Sequence, residues 1–396
     1  MPDLLSILTS LSWPFAVALA WLAGEFGHRL TGLPRVSFYG LVGFILGSGQ
    51  VGVLPASTGG PVLVLADVAF GLMLFELGYR INLGWLRTNP WIGVSGLVEA
   101  GATFVAVYQI ATFFGSAQIT ALMIASLSMA TSPAEVVRVI NELRSSGQVT
   151  ERVMHLSALN CVLAVFAFNV VVGYSMFRTS EDLGDAALNS LVVLALSGVA
   201  GMVFGVLVPG LLRTLGNMKQ DATIGFALSV ILLVAITYTF NLSPVVASLA
   251  FGLTARHRRV ALAQAQRNFG ALGELLAVLL FVFAASTLDW RQVAAGIVPA
   301  LALVATRLLT KTLGVAAFSH LSGTSWRKGA LTGLGLAPLS VFVILLLEHA
   351  RLAGIPLSAP MQALAAVNLI LVLFAPIFLQ RALILARETA EQQHGA

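Results

Sequence analysis

Long apolar runs, separated by short stretches with glycine, proline and charged residues, follow one another along almost the whole chain. Most of these runs approach the roughly 20 residues that an α-helix needs to cross a bilayer. The pattern therefore predicts about 13 membrane-spanning helices. They lie near residues 5–28, 37–54, 61–83, 91–114, 117–141, 152–177, 187–212, 222–240, 243–256, 269–288, 292–321, 329–350 and 360–385.

The composition agrees with an integral membrane protein. Hydrophobic residues make up 58% of the chain and charged residues 10%, and the mean hydropathy is +0.92. A soluble domain has about a quarter of its residues charged. We expect an all-α polytopic protein of the cell (inner) membrane. Residues 1–396 would form a single transmembrane domain with halves at about 1–178 and 187–388, and no soluble domain.

The basic residues are distributed unevenly over the loops. If the N-terminus is outside, the outer loops hold only Arg178, Arg291 and Arg351, and nearly all of the other Lys and Arg residues lie in inner loops. Because Lys and Arg accumulate in cytoplasmic loops, this distribution predicts an outer N-terminus and an inner C-terminus. These basic residues form no stripe with interleaved aromatic residues, so no nucleic-acid partner is expected.

Enzymatic chemistry has little support in the sequence. The single cysteine excludes an internal disulfide, and the six histidines are scattered without the spacing of metal ligands. No phosphate-binding glycine loop follows a predicted strand. We therefore expect neither an enzyme nor a bound cofactor, and the lipid bilayer is the expected surrounding.

Two of the predicted spans, the fifth and the twelfth, carry proline near their centres. The fifth contains Met129-Ala-Thr-Ser-Pro-Ala-Glu135, and the twelfth contains Gly333-Leu-Gly-Leu-Ala-Pro-Leu-Ser340. Proline removes a helical hydrogen bond, and the freed backbone groups need polar partners inside a bilayer. Two ordinary kinks would explain the pattern. Interrupted helices at corresponding places in two halves are, however, typical of transporters built from two inverted repeats.

Ionisable residues inside the predicted spans are functional candidates, because a charge at the bilayer centre costs about 2.5–3.5 kcal/mol on insertion scales. Arg307 and Lys311 lie one turn apart on the same face of the eleventh span. Either they hold helices together through a buried carboxylate, or one of them occupies an ion site when the ion is absent. Both interpretations require an acidic partner.

Glu76 and Glu99, in the third and fourth spans, are the acidic candidates. Glu76 stands four residues before Arg80, so a local ion pair near the membrane surface competes with a role in transport. Glu99 shares a helix face with Gly96, which favours packing against a neighbouring helix over a functional role.

These segments together resemble the monovalent cation/proton antiporter superfamily, in its sodium/proton exchanger and Kef-like branches, over nearly the whole chain. The segments that carry the resemblance are Gly40-Leu-Val-Gly-Phe-Ile-Leu-Gly47, Leu74-Phe-Glu-Leu-Gly78, Ala130-Thr-Ser-Pro-Ala134, Ala158-Leu-Asn160, Arg307-Leu-Leu-Thr-Lys311 and the interruption from Gly333 to Pro338. The resemblance implies a homodimer. In each protomer, a core with two crossed, unwound helices would move against a dimerisation domain by an elevator motion.

The resemblance also implies an ion site at the first interruption. Neutral oxygens would come from the fifth and sixth spans, a basic side chain from the eleventh, and a carboxylate that helps to hold the cation from the third. These residues are Thr131, Ser132, Ser157, Asn160, Arg307 or Lys311, and Glu76. The expected ligands of the monovalent cation are Glu76, Thr131, Ser157 and Asn160.

The chain departs from this family at Asn160-Cys161. The family normally has Asn-Asp or Asp-Asp there, and the second residue is the carboxylate that binds the cation and the proton in turn. A neutral thiol is a poor ligand for sodium or potassium, which prefer oxygen, so Cys161 cannot replace the acid. The first candidate for the missing carboxylate is Glu76, and the second is Glu99.

Three functions remain open at this point. The first is antiport of sodium or potassium against protons, with Glu76 as the exchanging carboxylate. The second is the same fold carrying an anion or an organic solute, because Arg307 and Lys311 stay at mid-membrane while the main acid is missing. The third is a membrane sensor or subunit that transports nothing and has lost its exchanging carboxylate.

Overall fold

The computed structural model describes residues 4–55, 61–176, 183–214, 218–257, 265–352 and 358–393. Within these ranges the chain forms seventeen α-helices that are joined by turns and short connections. The helices are α1 (Leu4–Thr31), α2 (Arg35–Leu46), α3 (Pro61–Arg80), α4 (Leu83–Thr88), α5 (Pro90–Phe113), α6 (Gln118–Ser128), α7 (Pro133–Leu143), α8 (Gln148–Met176), α9 (Leu183–Thr214), α10 (Met218–Thr239), α11 (Pro244–His257), α12 (Ala265–Ser286), α13 (Trp290–Ala317), α14 (Trp326–Gly335), α15 (Ser340–Leu352), α16 (Ser358–Leu385) and α17 (Ala390–Gln393).

A helix, or a pair of helices, stands at each predicted span. The second helix is shorter than the expected 37–54, because α2 ends at Leu46 and the chain then turns back. In that turn the backbone N–H of Leu54 donates to the carbonyl of Leu46 at 2.9 Å, and Gly52 adopts a φ of 74°. Glycine allows this left-handed conformation at little cost. Arg178, which the topology prediction puts outside, is not among the described residues.

The length and composition of the helices fit a membrane protein. In the described ranges, seven helices are long and apolar enough to cross a membrane, and three further apolar helices are shorter. The seven are Val62–Arg80, Pro90–Phe113, Gln118–Leu143 (α6 and α7 taken together), Gln148–Ser175, Gly184–Thr214, Trp290–Ala317 and Leu364–Leu385. The fold is that of an all-α membrane protein.

Both proline-containing spans are interrupted. The first interruption, residues 129–132, separates α6 from α7, and the second, residues 336–339, separates α14 from α15. The two segments lie against each other, since the N–H of Ser132 donates to the carbonyl of Pro338 at 2.8 Å. The hydroxyl of Thr131 donates to the carbonyl of Leu336 at 3.2 Å. Each interruption therefore supplies polar partners to the other.

The helices pack into two bundles. The core bundle contains α5–α8 and α13–α16, and the scaffold bundle contains α1–α3 and α9–α12. Each bundle takes helices from both halves of the chain. Within the core bundle both halves follow the same order, with a long helix, an interrupted helix and a second long helix. The two interruptions meet inside this bundle.

Candidate functional site

Arg307, on α13, lies between the two interruptions. Its side chain is 1% exposed, and its guanidinium donates to backbone carbonyls rather than to a carboxylate. Because α6 and α14 both end at this point, their last carbonyls carry the negative ends of two helix dipoles, which the guanidinium balances. The accepting carbonyls belong to Ser128, Ala130, Leu336, Ala337 and Pro338.

Lys311, one turn further along α13, forms an ion pair with Glu99 of α5. The Lys311 Nζ atom lies 3.2 Å from Glu99 Oε2 and 3.4 Å from Oε1, and both side chains are 0% exposed. The ammonium also donates to the carbonyl of Met129, in the first interruption, at 2.9 Å. Glu99 is therefore the acidic partner that the sequence analysis expects for Lys311.

Asn160, on α8, completes this group. Its Nδ2 atom donates to Glu99 Oε1 at 2.5 Å and to the hydroxyl of Thr131 at 3.3 Å. Its Oδ1 atom is buried and has no hydrogen-bond partner among the described residues, and the hydroxyl of Ser132 is in the same state. A buried polar atom without a partner costs about 1–3 kcal/mol, so these oxygens are candidate ligands of a bound ion.

Close contact between α5 and α13 brings Glu99 to Lys311. A Cβ atom added at Gly314 would lie 2.7 Å from the Glu99 Cβ atom, so a larger residue would push the helices apart. One turn after Glu99, the hydroxyl of Thr103 lies 3.1 Å from that of Thr310. Glu99 is thus held against a neighbouring helix, as the sequence predicts, although that neighbour also carries the lysine.

Cys161 has a packing role in this structure. It is 0% exposed, and its Sγ atom donates to the carbonyl of Thr131 at 3.1 Å. Ser157, one turn earlier on α8, is also fully buried, and its hydroxyl donates to the carbonyl of Met154 in its own helix at 2.9 Å. The thiol therefore supports the first interruption, while the candidate oxygen ligands belong to neighbouring residues.

Glu76 lies apart from this group. Its Oε1 atom accepts from Arg80 Nη2 at 2.6 Å and from Asn141 Nδ2 at 3.0 Å. Asn141 is eight residues beyond Pro133, about 12 Å along α7 from the first interruption. The i,i+4 pair that the sequence offers as an alternative for Glu76 is therefore present within α3. Asn141 links this pair to α7.

The structure thus brings together most of the predicted site residues, with Glu99 in the place expected for Glu76. Two other buried acids were given too little weight from sequence. Glu135 is fully buried in the first turn of α7. Asp67, on α3, was overlooked and is 6% exposed. The signal for Asp67 is simple, because it is a charged residue inside an apolar run.

The oxygen atoms of this group are of the kind that hard cations prefer as ligands. In the part of the chain that the structure describes, no three His, Cys, Asp or Glu side chains gather as a transition-metal site would require. The oxygens near Asn160 come from a carboxylate, an amide and hydroxyl groups, which suit hard cations better than soft ones. Interrupted helices that meet inside a helix bundle are typical of secondary transporters.

Comparison with known families agrees with this class of protein. The family model for the sodium/hydrogen exchanger, transmembrane, matches residues 15–385. The chain therefore belongs to the sodium/hydrogen exchanger family, whose members are multi-pass membrane transporters and not enzymes. The resemblance predicted from the sequence is confirmed. No curated protein matches the chain.

Solved structures show the same fold. One is the sodium proton antiporter MjNhaP1 from Methanocaldococcus jannaschii at pH 8, with a TM-score of 0.71 and 15% identity over 96% of each chain. Another, from electron microscopy of the same antiporter, has a TM-score of 0.72 and 16% identity over 98% of this chain and 96% of the other. At this identity the likeness concerns the fold alone.

Proposed function

We propose that this protein exchanges a monovalent cation, sodium or potassium, for a proton, and that Glu99 is the carboxylate that holds the cation. One observation carries the proposal. Glu99, on α5, meets Asn160 and Lys311 in a fully buried group beside the first interruption. Position 161 of this chain has a thiol where the resemblance leads one to expect a carboxylate. A neighbouring helix supplies that carboxylate instead.

The ion pair gives the site a way to exchange the two ions. Without a cation, the Lys311 ammonium balances the charge of Glu99. A cation that binds Glu99 and the unpartnered Asn160 Oδ1 atom would stand close to the ammonium. Two like charges about 4 Å apart repel by about 4 kcal/mol at an effective dielectric constant of about 20, so Lys311 gives up its proton as the cation binds. On the other side of the membrane, a proton from water restores the ammonium and releases the cation.

The two basic residues favour a cation over an anion as cargo. The Arg307 guanidinium hydrogen-bonds backbone carbonyls of both interruptions, and the Lys311 ammonium is paired with a carboxylate. A mobile anion would have to compete with these internal partners. In this proposal Arg307 fixes the geometry of the interruptions, and Lys311 is the group that the cation displaces.

The larger architecture follows the same proposal. The chain would cross the membrane about 13 times as two inverted repeats, with its N-terminus outside and its C-terminus inside the cell (inner) membrane. The repeated helix order within the core bundle supports this arrangement. The core bundle would move against the scaffold bundle by an elevator motion in a homodimer. Glu76, Arg80 and Asn141 would then join the two bundles in this conformation.

A proteoliposome assay tests the proposed function. Purified protein is reconstituted with an internal pH indicator, and lithium, sodium or potassium is added across a preformed proton gradient. We expect sodium or potassium to collapse the gradient, and chloride substitution to have no effect. The variant Cys161→Asp is run beside the native protein. Flux that follows an anion would favour a transporter of anions or organic solutes. Exchange that appears only in Cys161→Asp would favour a sensor or subunit that transports nothing.

A further inference from the structure

The segment that follows α16 caps the first turn of α8. The carboxylate of Glu388 accepts the N–H of Val149 at 2.9 Å, and it accepts the N–H and the hydroxyl of Thr150 at 2.8 and 2.9 Å. Glu388 is 4% exposed. The first N–H groups of a helix have no partner within the helix, and a negative charge there also meets the positive end of the helix dipole. A residue from beyond α16 therefore does what the residue before a helix usually does.

The connection between α7 and α8 is shaped to receive this carboxylate. A helix is normally capped by Ser, Thr, Asp or Asn at the position before it, but α8 is preceded by Gly147, which has no side chain. A Cβ atom added at Gly147 would overlap the Glu388 side chain. The backbone carbonyl of Glu388 also accepts the N–H of Ser146 at 2.9 Å. Glu388 thus holds both the connection after α7 and the start of α8.

Two arginines strengthen the same end of the core bundle. Arg152, on α8, donates from Nη2 to the carbonyl of Ser322, between α13 and α14, at 2.7 Å. Arg327, on α14, donates from Nη2 to the carbonyl of Leu385, at the end of α16, at 3.2 Å. Since α8 belongs to the first half of the chain and α13, α14 and α16 belong to the second, these contacts and the Glu388 cap join the two halves of the core bundle.

We infer that Glu388 is a positioning residue of the proposed ion site. Both helices that it holds lead to that site. Ser132 stands at the beginning of α7, and Asn160 lies about 18 Å beyond the start of α8. The second half of the bundle supplies Lys311 and the second interruption. By fixing α7 and α8 to α16, Glu388 keeps the site residues of the first half in register with those of the second.

A small loss of register is enough to matter, because a displacement of about 1 Å in a functional site can cost about 100-fold in activity. The consequence for transport rests on the proposed function. The register itself does not, and one backbone amide reports it. The N–H of Ser132, in the first interruption, donates to the carbonyl of Pro338 in the second.

Hydrogen exchange tests the positioning role without transport. Glu388→Gln keeps the size of the side chain but replaces one accepting oxygen with an amide group that only donates. We expect the amides of Val149 and Thr150 to exchange at least about tenfold faster, and the amide of Ser132 to exchange faster with them. Faster exchange that is confined to the start of α8 would overturn the inference, because Glu388 would then be a local cap only.

The matched control is Glu151→Gln. Glu151 is an acid in the first turn of the same helix, but its side chain is 44% exposed. The control removes the same charge from the same helix start and leaves the cap in place, so the amide of Ser132 should exchange as in the native protein. Equal effects of the two variants would overturn the inference. If Glu388→Gln fails to fold, Glu388→Asp keeps the charge with a shorter reach. It should change the same amides by less, and an unchanged Ser132 amide would again overturn the inference.

A transport measurement then separates positioning from stability. In proteoliposomes, Glu388→Gln should raise the half-saturating cation concentration about tenfold, with a maximal rate per folded protein within about twofold of native. A merely structural role would lower the amount of folded protein and leave the half-saturating concentration unchanged, which would contradict the inference. A native protein without exchange would refute the proposed function, while the Ser132 amide would still decide whether Glu388 keeps the two interruptions in register.

Discussion

Glu99 and Glu76 each lie beside a basic residue and an asparagine, yet their surroundings differ. Glu99 meets Lys311 and Asn160 from two other helices of the core bundle, and it is 0% exposed. Glu76 pairs with Arg80 of its own helix and contacts Asn141 across the boundary between the bundles. Its side chain is 12% exposed.

The difference in burial decides which carboxylate suits the proposed exchange of a cation for a proton. A fully buried ion pair cannot lose one partner without a replacement charge, because breaking it costs about 3–5 kcal/mol. In a partly exposed pair, water can take the place of one partner, and the loss of the pair costs about 1 kcal/mol or less. Under the proposed function, ion replacement would therefore be coupled to proton movement at Glu99 and would not be coupled at Glu76.

Replacing the buried carboxylate should have the largest effect. Glu99→Gln keeps the size of the side chain but removes the charge that holds the cation, so we expect exchange in proteoliposomes to fall at least about 100-fold, as for loss of about 3 kcal/mol or more. Glu99→Asp, which keeps the charge, should retain measurable exchange. Near-native exchange in Glu99→Gln would contradict the assignment.

Removing the partner of Glu99 should reduce stability. Lys311→Met leaves a buried carboxylate without its cation, so we expect the free energy of unfolding in detergent to fall by about 3–5 kcal/mol. The double variant Lys311→Met with Glu99→Gln removes both charges and should recover most of that loss. Additive losses in the double variant would show that the two side chains are not coupled.

The helix contact that positions Glu99 should be sensitive to a single methyl group. Gly314→Ala would bring its Cβ atom to 2.7 Å from the Glu99 Cβ atom, so α5 and α13 must separate. Such overpacking typically costs about 1–3 kcal/mol, and we expect exchange to drop about tenfold. The matched control is Gly93→Ala, also in this helix pair, because an added Cβ there meets nothing within 4 Å. Equal effects of the two variants would argue against the contact.

The smallest effect is expected at the boundary between the bundles. Glu76→Gln removes a partly exposed pair, so exchange should change by less than about fivefold, as for about 1 kcal/mol. Arg80→Gln, which removes the other member, should have a similarly small effect. If Glu76→Gln lost exchange completely and Glu99→Gln stayed active, the exchanging carboxylate would be Glu76 and not Glu99.

The sequence was sufficient to predict where the helices lie and where two of them are interrupted. Hydropathy marks an apolar helix of bilayer length, and proline at its centre marks the place where the hydrogen-bond ladder fails. Helical spacing also predicted that Arg307 and Lys311 share a face. These features depend on residues that are close together in the chain.

The partners of the buried charges could not be predicted in the same way. Glu99 and Lys311 are 212 positions apart, and periodicity shows which face a residue occupies but not which helix covers it. The pair Glu76 and Arg80, by contrast, is visible in the sequence because its members are one turn apart. The sequence therefore pointed to Glu76, whose partner is close in the chain, although Glu99 is the more deeply buried carboxylate.

Proton release on cation binding tests the central claim most directly. Sodium or potassium is added to purified protein in weakly buffered detergent solution, and the pH is followed with an indicator dye. Because cation and proton compete for one site, native protein and Glu76→Gln should release about one proton for each cation bound, and Glu99→Gln should release none. Release that persists in Glu99→Gln and disappears in Glu76→Gln would contradict the account.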